Sequence, residues 1–129
     1  MRKILIHGIV ASFLASLNGI IYLKVYQSTL NCGFTKIINP ISISAASTIG
    51  CSLITVGYLV LLRLKKEEFK GWLNILISVL SFASIIGPIS TSLPLEISNP
   101  ELFPGLIAPM HFFPALAFFA ISPLFNKIS

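Results

Sequence analysis

The chain reads as four apolar blocks, Lys3–Lys24, Ser42–Leu62, Gly71–Ser92 and Gly105–Phe125, set apart by three polar connections. Each block runs about 20 residues, the length at which a helix rising about 1.5 Å per residue crosses a hydrocarbon layer of roughly 30 Å. No acidic or basic side chain falls inside any of the four apolar runs. A segment in lipid has no water to pair with its backbone N–H and C=O groups and must satisfy them itself, so each block is expected to coil into a helix. The pattern predicts an all-α membrane protein, a four-transmembrane-helix bundle in which residues 1–129 form a single integral membrane domain.

Composition agrees with that reading. Charged residues make up 10% of the chain and hydrophobic ones 55%, whereas a soluble domain carries roughly a quarter charged residues. The nine Lys and Arg outnumber the four Asp and Glu, and their positions say more than their excess. If the N-terminus is cytoplasmic, Arg2, Lys3, Arg63, Lys65, Lys66, Lys70 and Lys127 share its side, and only Lys24 and Lys36 fall on the other. Basic residues gather on the cytoplasmic side of membrane proteins, so both termini are expected there. The phosphates these cations meet are then those of lipid head groups, and no nucleic-acid partner is expected. The segment Arg63-Leu-Lys-Lys-Glu-Glu-Phe-Lys70 reads as a solvated turn that sets topology, with Trp72 as an interfacial anchor beside it. Met1-Arg-Lys before Ile4–Leu17 has the layout of a signal peptide, but Ala15-Ser-Leu17 is a poor small-x-small cleavage site, and the segment counts as the first helix.

Turn chemistry punctuates the connections. Asn39-Pro40 places a proline in the first turn of the second helix. Leu93–Pro104, with three prolines and both Glu96 and Glu101, is expected to form an irregular cap. Lipid tails are as apolar as leucine, so helices associate in a membrane through close backbone approach and polar cross-links. Stripes at helical spacing should therefore face inward: Gly8, Ser12, Ala15, Gly19 and Tyr22 on the first helix, Ser47, Gly50, Cys51, Thr55 and Tyr58 on the second, and Asn74, Ser78, Ser81 and Ser84 on the third. Cys51 reads as a small packing residue, and Cys32 lies in the first outer connection; two such separated cysteines form no disulfide framework.

Polar side chains at membrane depth are the candidates for chemistry, because hydrocarbon penalises them unless they pair or face a cavity. His111 and Asn18 each fall about 9 Å below the outer ends of their helices. Ser47 or Thr48 and Ser84 reach the same layer, which is expected to form a hydrogen-bonded layer or an outer-leaflet pocket. The fourth block adds Pro109, Pro114 and Pro123, which deprive the carbonyls of Gly105, Met110 and Phe119 of their usual donors, so Pro109-Met-His-Phe-Phe-Pro114 predicts a kink with His111 at the bend. His7, Asn74 and Tyr58 form a second polar group nearer the cytoplasmic surface, where His7 is expected to reach the interface. No phosphate-cradling glycine loop, metal-ligand set or serine–histidine–acid set is present, so neither a metal nor a cofactor is expected. An intramembrane carboxylate for proton-coupled transport is missing as well.

Ala15-Ser-Leu-Asn18, Ser84-Ile-Ile-Gly-Pro88 and the Met110-His111 pair, with the layout of the whole chain, resemble a group of small uncharacterised bacterial membrane proteins with four transmembrane helices. The resemblance implies that fold and a multi-pass place in the bacterial inner (plasma) membrane, and it implies no activity. The first expectation for function is a non-enzymatic binding or accessory subunit of a membrane assembly. Phe112, Phe113, Phe118 and Phe119 would then face lipid, other membrane subunits or a second copy. The alternative is a small transporter or ligand sensor with a pocket built from Asn18, Tyr22, Ser47, Thr48, Ser84 and His111. A third class is a lipid-modifying enzyme with His111 as acid–base catalyst.

Overall fold

The computed structural model describes residues 1–94 and 96–126; Lys127, one of the cations counted above, lies outside the described residues. Six α-helices follow one another, α1 (Arg2–Leu30), α2 (Pro40–Arg63), α3 (Lys70–Ala83), α4 (Ile86–Ser90), α5 (Phe103–Met110) and α6 (Phe113–Asn126), with single 3-10 turns at Glu67–Phe69 and Pro100–Leu102. There is no strand among the described residues. The helices join into four segments long and apolar enough to cross a membrane, Arg2–Leu30, Pro40–Arg63, Glu67–Ser90 and Pro100–Phe125. All four expected blocks are therefore helical. The first runs on past Lys24 to Leu30, and the fourth begins at Pro100, inside the expected irregular cap.

Local chemistry explains the ends. Asn39 caps α2: its side chain accepts from the Ser42 N–H at 2.9 Å, the Ser42 hydroxyl accepts from the Asn39 N–H at 3.1 Å, and Pro40 occupies the first turn, where its missing N–H is not needed. At the other end of α2, Lys65 takes a left-handed backbone (φ 56°) while the Lys66 N–H reaches back to the Leu61 carbonyl at 3.0 Å. Asn31 closes α1 in the same way, with φ 51° and Cys32 N–H to Gln27 carbonyl at 3.3 Å. Glycine usually fills such a position because a Cβ crowds the backbone there; Asn tolerates it better than Lys.

Two of the spans are broken, and proline is the cause in each. Pro88 cannot donate to the Ser84 carbonyl, and the third span opens at Ser84–Ile85 before restarting as α4. Pro114 cannot donate to Met110. The fourth span opens at His111–Phe112, which leaves Pro114 in the first turn of α6, where it is tolerated. The break closes through tight bonds from the His111 N–H to Ala108 (3.3 Å) and the Phe112 N–H to Pro109 (3.0 Å). The expected bend at His111 is thus present as a full interruption.

Packing centres on α1. Gly8, Ala11, Ala15, Gly19 and Leu23 are buried along one stripe. A Cβ on Gly8 would lie 2.0 Å from the Thr55 Oγ1, and one on Gly19 would lie 2.5 Å from the Ile43 Cγ2. The α1 and α2 backbones meet antiparallel at a separation that only glycine permits. Gly50 serves the same purpose against Pro114, 3.0 Å from its ideal Cβ. Ser47, Cys51 and Thr55 are buried, as expected.

One expectation fails here and a second holds only in part. Phe118 is fully buried instead of facing lipid, and Phe112, Phe113 and Phe119 are half-buried; the small α1 stripe leaves room for a large ring, and Phe118 fills it. The polar stripe of the third span turns inward only in part: Asn74 bonds Tyr58, Ser84 bonds His111 and Ser81 lines a groove beside α2, but Ser78 faces out. Ile77 is the buried residue of α3, while Ser78 and Ser84 are exposed. A helical serine can bond the carbonyl four residues back, as Ser78 does to Asn74 at 2.9 Å, so it needs no neighbouring helix. Only 6% of the apolar window of the third span is buried, against 22% to 33% for the other three.

Gly8→Val should destabilise the bundle by about 1–3 kcal/mol, the range for overpacking a tight site. Gly33→Ala should be nearly neutral, since an added Cβ there meets nothing within 4 Å. Unfolding of the purified chain in mixed micelles measures both.

Candidate functional site

Three polar side chains of α1 are directed at the fourth span. The Tyr26 hydroxyl donates to the Leu102 carbonyl at 2.7 Å, the Tyr22 hydroxyl to the Gly105 carbonyl at 2.9 Å, and His7 Nε2 lies 2.7 Å from the Phe118 carbonyl. A carbonyl only accepts, so Nε2 carries the proton in that last bond. From α2, the Cys51 thiol lies 3.8 Å from the Pro114 carbonyl. Gly105 is the residue whose carbonyl Pro109 leaves without a backbone donor, and Tyr22 supplies the replacement. Gly105 is itself required, since a Cβ there would sit 2.6 Å from the Tyr26 hydroxyl oxygen. His7 is buried with its ring stacked 3.9 Å from Phe118 and 4.7 Å from Phe125. It does not reach the interface: the Phe118 ring holds it inside, while the expected partner Asn74 bonds the Tyr58 hydroxyl.

The second histidine joins the two helix breaks. His111 Nδ1 lies 2.9 Å from the Ser84 Oγ, and that hydroxyl donates its single hydrogen to the Ser81 carbonyl at 2.7 Å. Ser84 must then accept from His111, which puts the proton on Nδ1 and leaves Nε2 of the neutral ring as an acceptor. The Phe82 and Phe112 rings meet edge to face at 4.9 Å alongside.

A groove of about 770 Å³ runs between α2, the third span and the α5–α6 break. Leu53, Gly57, Leu73, Leu76 and Leu80 line its middle and the end nearer the 64–69 turn; Ser47, Ser81, Ser84 and His111 line the other half. Among the described residues no acidic side chain lines it, and no group of three His, Cys, Asp or Glu could hold a metal ion. The groove can take an apolar chain and offer hydrogen bonds at one end. It brings no acid to orient a histidine base.

The six residues expected to form one pocket separate. Ser47, Ser84 and His111 line the groove. Tyr22 is occupied with Gly105. Thr48 turns to a smaller hollow of about 320 Å³ with Ser12, Ser16 and Ser44, its hydroxyl bonded to the Ser44 carbonyl at 2.8 Å. Asn18 is exposed and lines neither. Depth along a helix does not fix direction around it, and each residue turns the helix by roughly 100°. The buried stripes already carried that information: Asn18 stands beside Gly19 and Thr48 beside Ser47, one step off the packing face. The nearness of His7 to Lys3 suggests an escape to the surface, and the Phe118 and Phe125 rings block it.

Compared with known protein families, curated proteins and solved structures, the chain matches none.

His7→Leu, which removes the donor from a buried carbonyl, should lower stability by about 1–3 kcal/mol. Asn18→Leu and Thr48→Val should stay within about 0.5 kcal/mol, as for surface substitutions. Equilibrium unfolding of the three variants in the same micelles separates a structural histidine from the two outward-facing polar residues.

Proposed function

We propose that the chain is a multi-pass protein of the bacterial plasma membrane, both termini cytoplasmic, serving as a non-enzymatic binding or accessory subunit of a membrane assembly. The observation that carries this reading is the third span, with 6% of its apolar window buried. A helix in lipid gains little from hiding apolar surface and is held by small-residue and polar contacts. The third span is held by Gly57 against Leu73, by Tyr58 with Asn74 and by His111 with Ser84. Its outward face, with Trp72, Ile75, Val79 and Phe82 all exposed, suits a helix of another membrane subunit or of a second copy. The cytoplasmic placement of both ends is supported by Arg2, Lys3 and the Arg63–Lys70 segment at one pole, against Lys24 and Lys36 at the other. The same reading groups the chain with the small bacterial four-helix proteins its motifs resemble.

A small transporter or ligand sensor is the second reading. Ser47, Ser84 and His111 favour it, since they place hydrogen-bonding groups in one groove.

Extraction from native membranes followed by native mass spectrometry distinguishes the two. The subunit reading expects the chain in a fixed ratio with another membrane protein or with itself. A monomer accompanied by lipid alone contradicts it, and solute binding that His111→Gln abolishes would establish the sensor reading in its place.

A further inference from the structure

We propose that the groove between α2 and the third span is a site for an anionic phospholipid, with an acyl chain along its aliphatic half and the phosphate held by Arg63, Lys65 and Lys66. The inference rests on the membrane-spanning fold and is independent of the subunit reading.

The shape comes first. The groove has the volume of a ligand site. Its walls Leu53, Leu76 and Leu80 are exposed and leave it open to the side, the direction from which a lipid arrives. Toward the 64–69 turn the lining is aliphatic and ends at Gly57 and Leu73, where Leu73 packs against the glycine; a Cβ there would lie 3.3 Å from Leu73.

The charge sits at that same end. Arg63 follows Gly57 by six residues on one helix, about 9 Å along its axis, and the turn it opens leads through Lys65 and Lys66 to Lys70, three residues before Leu73. Glu67 is engaged by Lys70 at 2.7 Å, which leaves Arg63, Lys65 and Lys66 against Glu68. Lys65 takes a left-handed backbone (φ 56°) as it closes α2, within the same turn as Arg63 and Lys66.

Together the two features select the occupant. A zwitterionic lipid would bring its own ammonium to a net-positive turn. A partner helix would fill the groove and leave the three cations uncompensated. An anionic phospholipid satisfies both, since basic residues near a membrane surface attract its head group.

Trp72 is the only tryptophan and lies exposed one residue before Leu73, so it reports on lipid gathered at this end of the third span, and the groove substitutions below separate lipid in the groove from lipid on the outward face. The full chain is reconstituted in phosphatidylcholine bilayers, and Trp72 quenching is followed as dibrominated phosphatidylglycerol or dibrominated phosphatidylcholine replaces the host lipid. The expected result is a preference for phosphatidylglycerol on the order of 10-fold, what a few interfacial cations supply. Arg63→Gln/Lys65→Gln/Lys66→Gln should reduce it to within about two-fold. Leu53→Phe/Leu76→Phe, which narrows the groove at two exposed positions and leaves the turn intact, should remove most of it too. Equal quenching by the two lipids in the wild type overturns the proposal, as does a preference that survives the charge substitutions. A preference untouched by the groove substitutions reduces it to plain surface attraction and overturns it equally. A second copy or foreign helix cross-linked to Leu53, with no lipid preference, assigns the groove to protein instead.

Discussion

Carbonyl groups in a hydrocarbon layer need donors, and the fourth span has lost some of its own to Pro109, Pro114 and Pro123. The structure depends on where the replacements come from. One comes from α1, where Tyr22 reaches the Gly105 carbonyl; Tyr26 and His7 add bonds to the Leu102 and Phe118 carbonyls, which no proline has orphaned, and the three donors spread over about 28 Å of α1, nearly the thickness of a bilayer core. This fixes the side of α1 that must face the fourth span. The glycines and alanines of that region then bring the backbones close enough for the bonds to form, and the space they leave admits Phe118. Tyrosine hydroxyls and a buried imidazole, which would be a liability toward lipid, become the cross-links that hold a broken helix in place.

The two breaks are coupled in turn. Ser84 and His111 each stand where proline has opened a span, and each satisfies the other. One consequence is a division of the molecule. The first, second and fourth spans share the small-residue and donor contacts, whereas the third is attached at a few points and keeps most of its surface outward. The groove lies between a close α2–α3 contact at Gly57 and Leu73 and the bond that joins His111 to Ser84.

Much of the architecture was legible before any coordinates. The four spans followed from block length, the proline in the first turn of α2 from Asn39-Pro40, the α1 packing face from Gly8, Ala15 and Gly19, and the bend at His111 from its flanking prolines. The Gly105 carbonyl was identified as needing a donor, though Tyr22 was assigned to a pocket instead of to that need. Asn18 and Thr48 were misplaced because depth along a helix was used without its angular position. In the third span Asn74, Ser81 and Ser84 turn inward as their spacing predicts, whereas Ser78 is satisfied by its own helix and carries no information about neighbours. Phe118 was beyond reach for a different reason: among several phenylalanines on one proline-rich span, only the rotation of α6 after the break decides which is buried.

The central claim is that a side chain of α1 stands in for the N–H that proline removes. A double-mutant cycle between Tyr22 and Pro109 tests it most directly, because Pro109→Ala returns a backbone donor to the Gly105 carbonyl. Tyr22→Phe should cost about 1 kcal/mol in the wild-type chain, near the values found for hydrogen bonds between membrane helices, and almost nothing when Pro109 is alanine. An equal cost in both backgrounds would mean that Tyr22 does not replace the missing donor, and the account of the fourth span would be wrong.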